Sequence, residues 1–119
     1  MQHIDKPWGS EDVIETNKDY TLKRLFMKEG HCCSLQYHEY KHETIYVLWG
    51  TLKVISGAED DVSPLKEVLL GPGDAIVISP RKIHRMCGQT DVTYLEASTS
   101  QLGDVVRLQD DYGRADTGA

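Results

Sequence analysis

An all-β fold follows from three observations on this 119-residue chain. Short runs rich in β-branched and aromatic residues recur along its length. Turn signals containing Gly, Pro or Ser separate them at regular spacing. No segment of a dozen residues holds a 3.6-residue hydrophobic period. Many short strands divided by such turns predict a sandwich or a barrel rather than a helical or α/β fold. The length is that of one domain, residues 1–119, large enough to bury a core and too short for two.

Taken in order, residues 1–11 are expected to form an extended N-terminal segment. Residues 21–28 alternate Leu22 with polar neighbours before Leu25-Phe26-Met27. Residues 44–55 are dense in Ile, Tyr, Val, Leu and Trp, the side chains that suit a pleated surface, and are broken only by Gly50-Thr51. Residues 67–70, 75–78, 92–95 and 105–108 are further strand-like runs. Between them stand Glu29-Gly30, Ser56-Gly57, Ser63-Pro64, Gly71-Pro72-Gly73-Asp74, Ser79-Pro80 and Gly88, each with residues that turns require. Ala58-Glu59-Asp60-Asp61 reads as a solvated hairpin tip, since a calcium loop needs spaced oxygen ligands and a closing Glu. Residues 109–119 are a polar tail whose last positions fray.

Composition narrows the function. Thirteen basic against 19 acidic side chains give a net charge of -6, which argues against a nucleic-acid partner while leaving room for a local basic pocket for one small phosphate. Hydrophobic residues at 39% and charged residues at 27% mark an ordinary globular chain, not a disordered one. No apolar run approaches the roughly 20 residues that cross a bilayer, so no membrane partner is expected. The opening Met1-Gln2-His3-Ile4-Asp5-Lys6 lacks an apolar signal core, and a cytoplasmic location is expected. Three cysteines, Cys32 and Cys33 adjacent and Cys87 distant, suggest semi-buried thiols rather than a disulfide framework. No Cys-x-x-Cys pair offers a zinc site.

The chemistry concentrates in Gln36-Tyr37-His38-Glu39-Tyr40-Lys41-His42-Glu43, with a lone His84 downstream. On a helix, His38-Glu39-x-x-His42 would spell a zinc-protease signature, because residues four apart share a face. The flanks reject it: Thr44, Ile45 and Val47 are β-branched, and Tyr46 and Trp49 favour sheets, so a helix through His42 has no C-terminal support. On a strand, Gln36 and His38 point the same way. A turn at residues 39–42 then returns the chain so that Glu43 enters the next strand facing the same interior, beside Ile45, Val47 and Trp49. Glu39 and His42 face away. With His84 after the strand and Pro turn of residues 73–80, two imidazoles, a carboxylate and an amide oxygen form a set that suits one divalent ion: zinc first, with manganese, iron or nickel as alternatives.

Gly30, Gln36-x-His38, Glu43 and Gly50 resemble the first cupin motif, and Gly73-Asp74 through His84 is similar to the second, with Ser79 and Arg81 where a Pro and a Gly are common. The resemblance implies a double-stranded β-helix, the jelly-roll barrel. Lys6-Pro7-Trp8-Gly9, Leu35-Gln36-Tyr37-His38, Glu43, His84-Arg85, Leu102-Gly103, Val105-Val106-Arg107 and Asp111-Tyr112-Gly113-Arg114 resemble the cupin domain of type II phosphomannose isomerases. In that family the Gln belongs to the metal set, which implies Gln36, His38, Glu43 and His84 as ligands, a mannose-6-phosphate isomerase activity and a homodimer. Many relatives carry a nucleotidyltransferase domain with a Gly-rich loop ahead of the cupin. These 119 residues hold neither, so guanylyl transfer is not expected of them.

Interconverting an aldose phosphate and a ketose phosphate moves a proton between C1 and C2 through an enediol, which calls for a Lewis acid and a general base. Glu96 in a late strand is a candidate base, with His31 and His42 behind it. Arg107 carries the catalytic or substrate-binding role that the resemblance implies. Arg85, Lys23 and Arg114 are candidate phosphate contacts, against the alternative of surface ion pairs for Arg85 and Lys23. Trp8 is expected to bury area in the barrel or a dimer seam rather than to stack on a sugar. The alternatives to an isomerase are a non-catalytic carbohydrate-binding cupin, or another cupin enzyme such as a dioxygenase or an epimerase.

Overall fold

The computed structural model describes residues 1–57, 64–101 and 103–113. Eleven strands occur among them: β1 (Gln2–Lys6), β2 (Gly9–Thr16), β3 (Thr21–Met27), β4 (Leu35–His38), β5 (Glu43–Trp49), β6 (Leu52–Ser56), β7 (Lys66–Leu70), β8 (Ala75–Ile78), β9 (His84–Gly88), β10 (Val92–Ser98) and β11 (Val105–Gln109). No helix occurs among the described residues, so none is long and apolar enough to cross a membrane. The all-β expectation holds. The acidic tip at 58–61, Leu102 and residues 114–119, Arg114 among them, lie outside the described residues.

The strands form two antiparallel sheets, one in the order β1-β2-β3-β10-β5-β8 and one in the order β11-β4-β9-β6-β7. Their inner faces meet over a core of Trp8, Leu25, Met27, Ile45, Val47, Leu52, Val54, Leu70, Ile78, Met86, Val92 and Tyr94. The period of two accounts for it: in β5, Glu43, Ile45 and Val47 are buried while Thr44 and Tyr46 are exposed. Trp8 belongs to this core, as the barrel-plug reading required.

Two expectations fail, and the extended N-terminal segment proves to pair with itself. The segment at residues 1–11 is a paired hairpin, with Lys6 opposite Gly9 and His3 opposite Asp12, and its second strand runs on to Thr16. Its polar residues hid it, because only alternate positions face inward. Trp49 does not join Glu43, Ile45 and Val47 on the buried face of β5, and of these only Glu43 lines the cavity. Val47 lies opposite Tyr94 and Trp49 opposite Thr93, so two steps on β5 match one on β10. That bulge turns Leu48 and Trp49 outward, with Trp49 51% exposed. Cys32 and Cys87 form a disulfide, leaving only Cys33 as a thiol. An antiparallel bridge makes them neighbours across 55 residues of chain, a proximity that neither the odd count nor the Cys32-Cys33 adjacency reveals.

Two turns show where the backbone dictates the residue. Gly50, between β5 and β6, has φ of 81°, and a Cβ there would collide with the Asp91 carbonyl oxygen. Arg81, in the turn that delivers β9, has φ of 68°, a left-handed value that explains why related motifs place a Gly there. Its backbone N–H donates to the His38 carbonyl at 2.6 Å, and its Nη1 donates to Glu39 at 3.0 Å.

Gly50→Ala is expected to destabilise the domain by at least roughly 1–3 kcal/mol, since strain and collision act together; a denaturant midpoint measures it. Replacing Cys32 and Cys87 together by Ser should lower unfolding free energy by roughly 2–4 kcal/mol, because the unfolded chain regains the freedom of a long loop. On the β1–β2 hairpin, hydrogen bonds to Asp12 and then Asp5 raise the His3 pKa above 6.5. The contribution of that contact is therefore full below pH 6.5 and is lost as pH rises through the folded pKa. An NMR titration of the His3 ring should give a midpoint above 6.5 that falls toward the ordinary value in Asp12→Asn and stays partly raised by Asp5.

Candidate metal centre

Cross-strand register assembles the site. Gln36 in β4 lies opposite His84 in β9 on one side and Arg107 in β11 on the other, so the three share the inner face of the five-stranded sheet. His38 lies opposite Val105 on that face. Across the interior, Glu96 in β10 lies between Ile45 of β5 and Lys23 of β3. The bends at 39–40 carry the chain from one sheet to the other, which is why His38 and Glu43 close on one point from opposite walls. All of these side chains except Ile45 line one cavity of about 340 Å³, which Trp8, Cys33 and Tyr94 also border.

His38, Glu43 and His84 are buried, and one ligand atom from each lies within 4.8 Å of the others. Glu43 Oε1 is 3.3 Å from His84 Nε2 and 3.9 Å from His38 Nε2. Both imidazoles are oriented from behind. His84 Nδ1 donates to the Lys82 carbonyl at 2.8 Å, and His38 Nδ1 donates to Asp104 Oδ1 at 3.2 Å. Each Nε2 lone pair is thereby aimed at the shared point, as ligating histidines are held by carboxylates and carbonyls elsewhere. Asp104 Oδ2 also accepts from the backbone N–H of Tyr40 and Lys41, at 2.7 and 3.0 Å, which fixes the turn that presents Glu43.

The electrostatics follow from burial. Desolvation, outweighing the pull of Glu43, depresses His38 to about 4, so its ring is a neutral donor at pH 7. Burial alone would raise Glu43, but His84 and Lys41 hold its carboxyl well below the usual carboxylate range. Glu43 Oε2 is buried without a hydrogen bond; Lys41 Nζ stands at 3.4 Å, an ion-pair contact without hydrogen-bond geometry. A buried carboxylate flanked by two imidazole nitrogens is a donor set that fits a divalent transition ion.

Lys41, which the sequence placed only in a turn, is buried in the cavity and donates to Glu96 Oε2 at 3.1 Å. Burial, and next the charge of Glu43, push Glu96 up to about 7 despite that lysine. Lys23 Nζ is 3.4 Å from Glu11, also in the cavity wall. Four cations, Lys6, Lys23, Lys41 and Arg107, stand among the lining residues against three carboxylates, Glu11, Glu43 and Glu96.

The other candidates fall elsewhere. Gln36 lines the cavity with its amide oxygen accepting from Ser34 Oγ at 2.6 Å. Arg85 is a correction: strand alternation turns it to the opposite face of β9 from His84 and Met86, where it binds the Cys33 carbonyl and Asp111, each at 2.8 Å. Its part is to tie the tail to β9. His31 stacks on Tyr112 and His42 is exposed, so neither reaches the cavity. Glu39, paired with Arg81, also faces away from the metal set, as the strand spelling required. Lys41, Glu11 and Asp104 were missed, and their only sequence signal is position: two before Glu43, beside Asp12 and beside Val105.

Comparisons with known proteins agree with this architecture. Residues 1–116 match the family model described as "Mannose-6-phosphate isomerase C-terminal". The xanthan biosynthesis protein XanB of Xanthomonas campestris is 33% identical over 116 residues, covering 93% of this chain and 23% of its own length. The mannose-1-phosphate guanylyltransferase ManC of Salmonella typhimurium is 30% identical over 118 residues, 95% of this chain and 23% of that protein. The chain thus spans about a quarter of the length of the curated relatives it matches. Among solved structures, the capsular polysaccharide assembling protein CapF of Staphylococcus aureus superposes with a TM-score of 0.77 at 18% identity, over 91% of this chain and 31% of that one, a likeness of fold. With the family model spanning nearly every residue and the two sheets closing as its fold requires, the chain belongs to the cupin family of mannose-6-phosphate isomerase C-terminal domains.

Proposed function

We propose that this domain is a metal-dependent sugar-phosphate isomerase, interconverting mannose 6-phosphate and fructose 6-phosphate. The observation that carries the reading is the content of one cavity: a His38, Glu43 and His84 donor set, a buried acid at Glu96, and cations on the surrounding wall. The cavity volume of about 340 Å³ falls in the range of small-molecule sites. Gln36, on the same row as His84, is the fourth metal ligand in this reading. When bound, the divalent ion supplies Lewis acidity at the substrate carbonyl and adjacent hydroxyl.

The remaining work falls to side chains. Glu96 takes and returns the migrating proton; a carboxyl near 7 is suited to both directions at neutral pH. Lys23 and Arg107 hold the phosphate, with Lys6 beside them on the wall, and the excess of cations over carboxylates favours a dianion there. Trp8 and Met86 close the interior side and limit water.

The test is an isomerase assay on metal-reconstituted protein with mannose 6-phosphate and a panel of aldose phosphates. Turnover that chelation abolishes and added zinc or manganese restores supports the reading. Sugar-phosphate binding without turnover would instead make the domain a binding module. Glu43→Gln is expected to lose metal affinity by at least ~10–100-fold, read by calorimetry. Glu96→Gln should keep the metal and lose roughly 10²–10⁴ in kcat with little change in KM, as removal of a general base does.

A further inference from the structure

Lys41 has a place in the site that its turn position does not foretell. Its side chain is buried, and its backbone N–H is anchored by Asp104, the residue that also orients His38. A buried ammonium persists where carboxylates pair with it, and Lys41 has two: Glu96 Oε2 at 3.1 Å and Glu43 Oε2 at 3.4 Å. The opposite oxygen of Glu43, Oε1, is the one turned toward His84 and His38. One cation therefore claims one oxygen from each of two neighbouring carboxylates and leaves a single Glu43 oxygen directed at the donor set.

Carboxylates bind a divalent ion through one oxygen or through two, and a second carboxylate nearby joins when nothing restrains it. Either change fills positions that a substrate needs. We propose that Lys41 is a positioning residue that keeps coordination sites on the metal open: it holds Glu43 to a single-oxygen contact and keeps Glu96 off the ion, so that Glu96 remains available to substrate. This rests on the metal site proposed above. Lys41 touches neither the metal nor the reacting carbons in this role; it acts through Glu43 and Glu96.

The experiment uses Mn²⁺ alone, bound to the full chain, with water-proton relaxivity reporting how many exchangeable waters the ion keeps. In Lys41→Met, relaxivity per bound ion is expected to fall by roughly a third or more, as one or two open positions of a six-coordinate ion are taken by protein oxygen. Adding Glu96→Gln to that variant should recover part of the loss, whereas Glu96→Gln alone should leave relaxivity unchanged. Lys41→Arg, which keeps the charge, should stay near wild type. Unchanged relaxivity in Lys41→Met, where Mn²⁺ still binds, overturns the proposal while leaving the metal reading standing. Failure of the wild-type chain to bind Mn²⁺ or Zn²⁺ removes the metal reading itself and this inference with it. Should Lys41→Met not fold, Lys41→Gln takes its place. A change in relaxivity in Glu96→Gln alone would overturn the proposal by making Glu96 a ligand in the native protein.

Discussion

The arrangement depends on one buried carboxylate. Glu43 is 2% exposed in a β-barrel interior against an apolar core, a setting in which an isolated charge is not tolerated. Everything that surrounds it answers that cost. His84 and His38 present nitrogen to one oxygen, Lys41 presents an ammonium to the other, and Asp104 steadies both His38 and the turn that carries Lys41. The polar centre is thus a closed set of mutual obligations, and the apolar core is arranged around it.

Charge alternates along the wall that leads from this centre. Glu43 contacts Lys41, Lys41 contacts Glu96, Glu96 lies opposite Lys23 in the sheet, and Lys23 contacts Glu11. Lys41 and Glu43 answer one another in that row, so burial alone does not set the proton affinity of either. Cys33 shows the contrast: burial, outweighing the Met86 N–H and Arg85, pushes its thiol up to about 11, and it borders the cavity as an uncharged atom at neutral pH.

Much of the fold was legible because strands announce themselves by alternation wherever one face is apolar. Residues 75–78 and 105–108 came within a residue of β8 and β11. The hairpin of β1 and β2 was not legible, since its inward positions include Gln2, Lys6 and Glu11, polar groups that serve a cavity and not a core. The convergence of Gln36, His38 and Glu43 on one cavity was legible from parity: Gln36 and His38 two apart, Glu43 after a turn. Lys41 was not, because a turn residue's side chain has no parity and its direction is set by the carboxylates it meets. Trp49 shows the opposite failure, a correct parity undone by a bulge that no local sequence marks. Arg85 followed the parity of its strand away from the cavity, although the resemblance had grouped it with His84.

The position of β1 has a consequence for how such a domain diversifies. The candidate metal set sits on strands paired on both sides, whereas Gln2, Ile4 and Lys6 hang from an outermost strand with one bonded neighbour. Replacing those three alters the shape and charge of the cavity wall while disturbing a single strand ladder. The His38, Glu43 and His84 cluster and the β1 part of the cavity wall are therefore mechanically separate parts of the barrel. Substitutions along the first strand can thus reshape the cavity without touching the strands that carry that cluster.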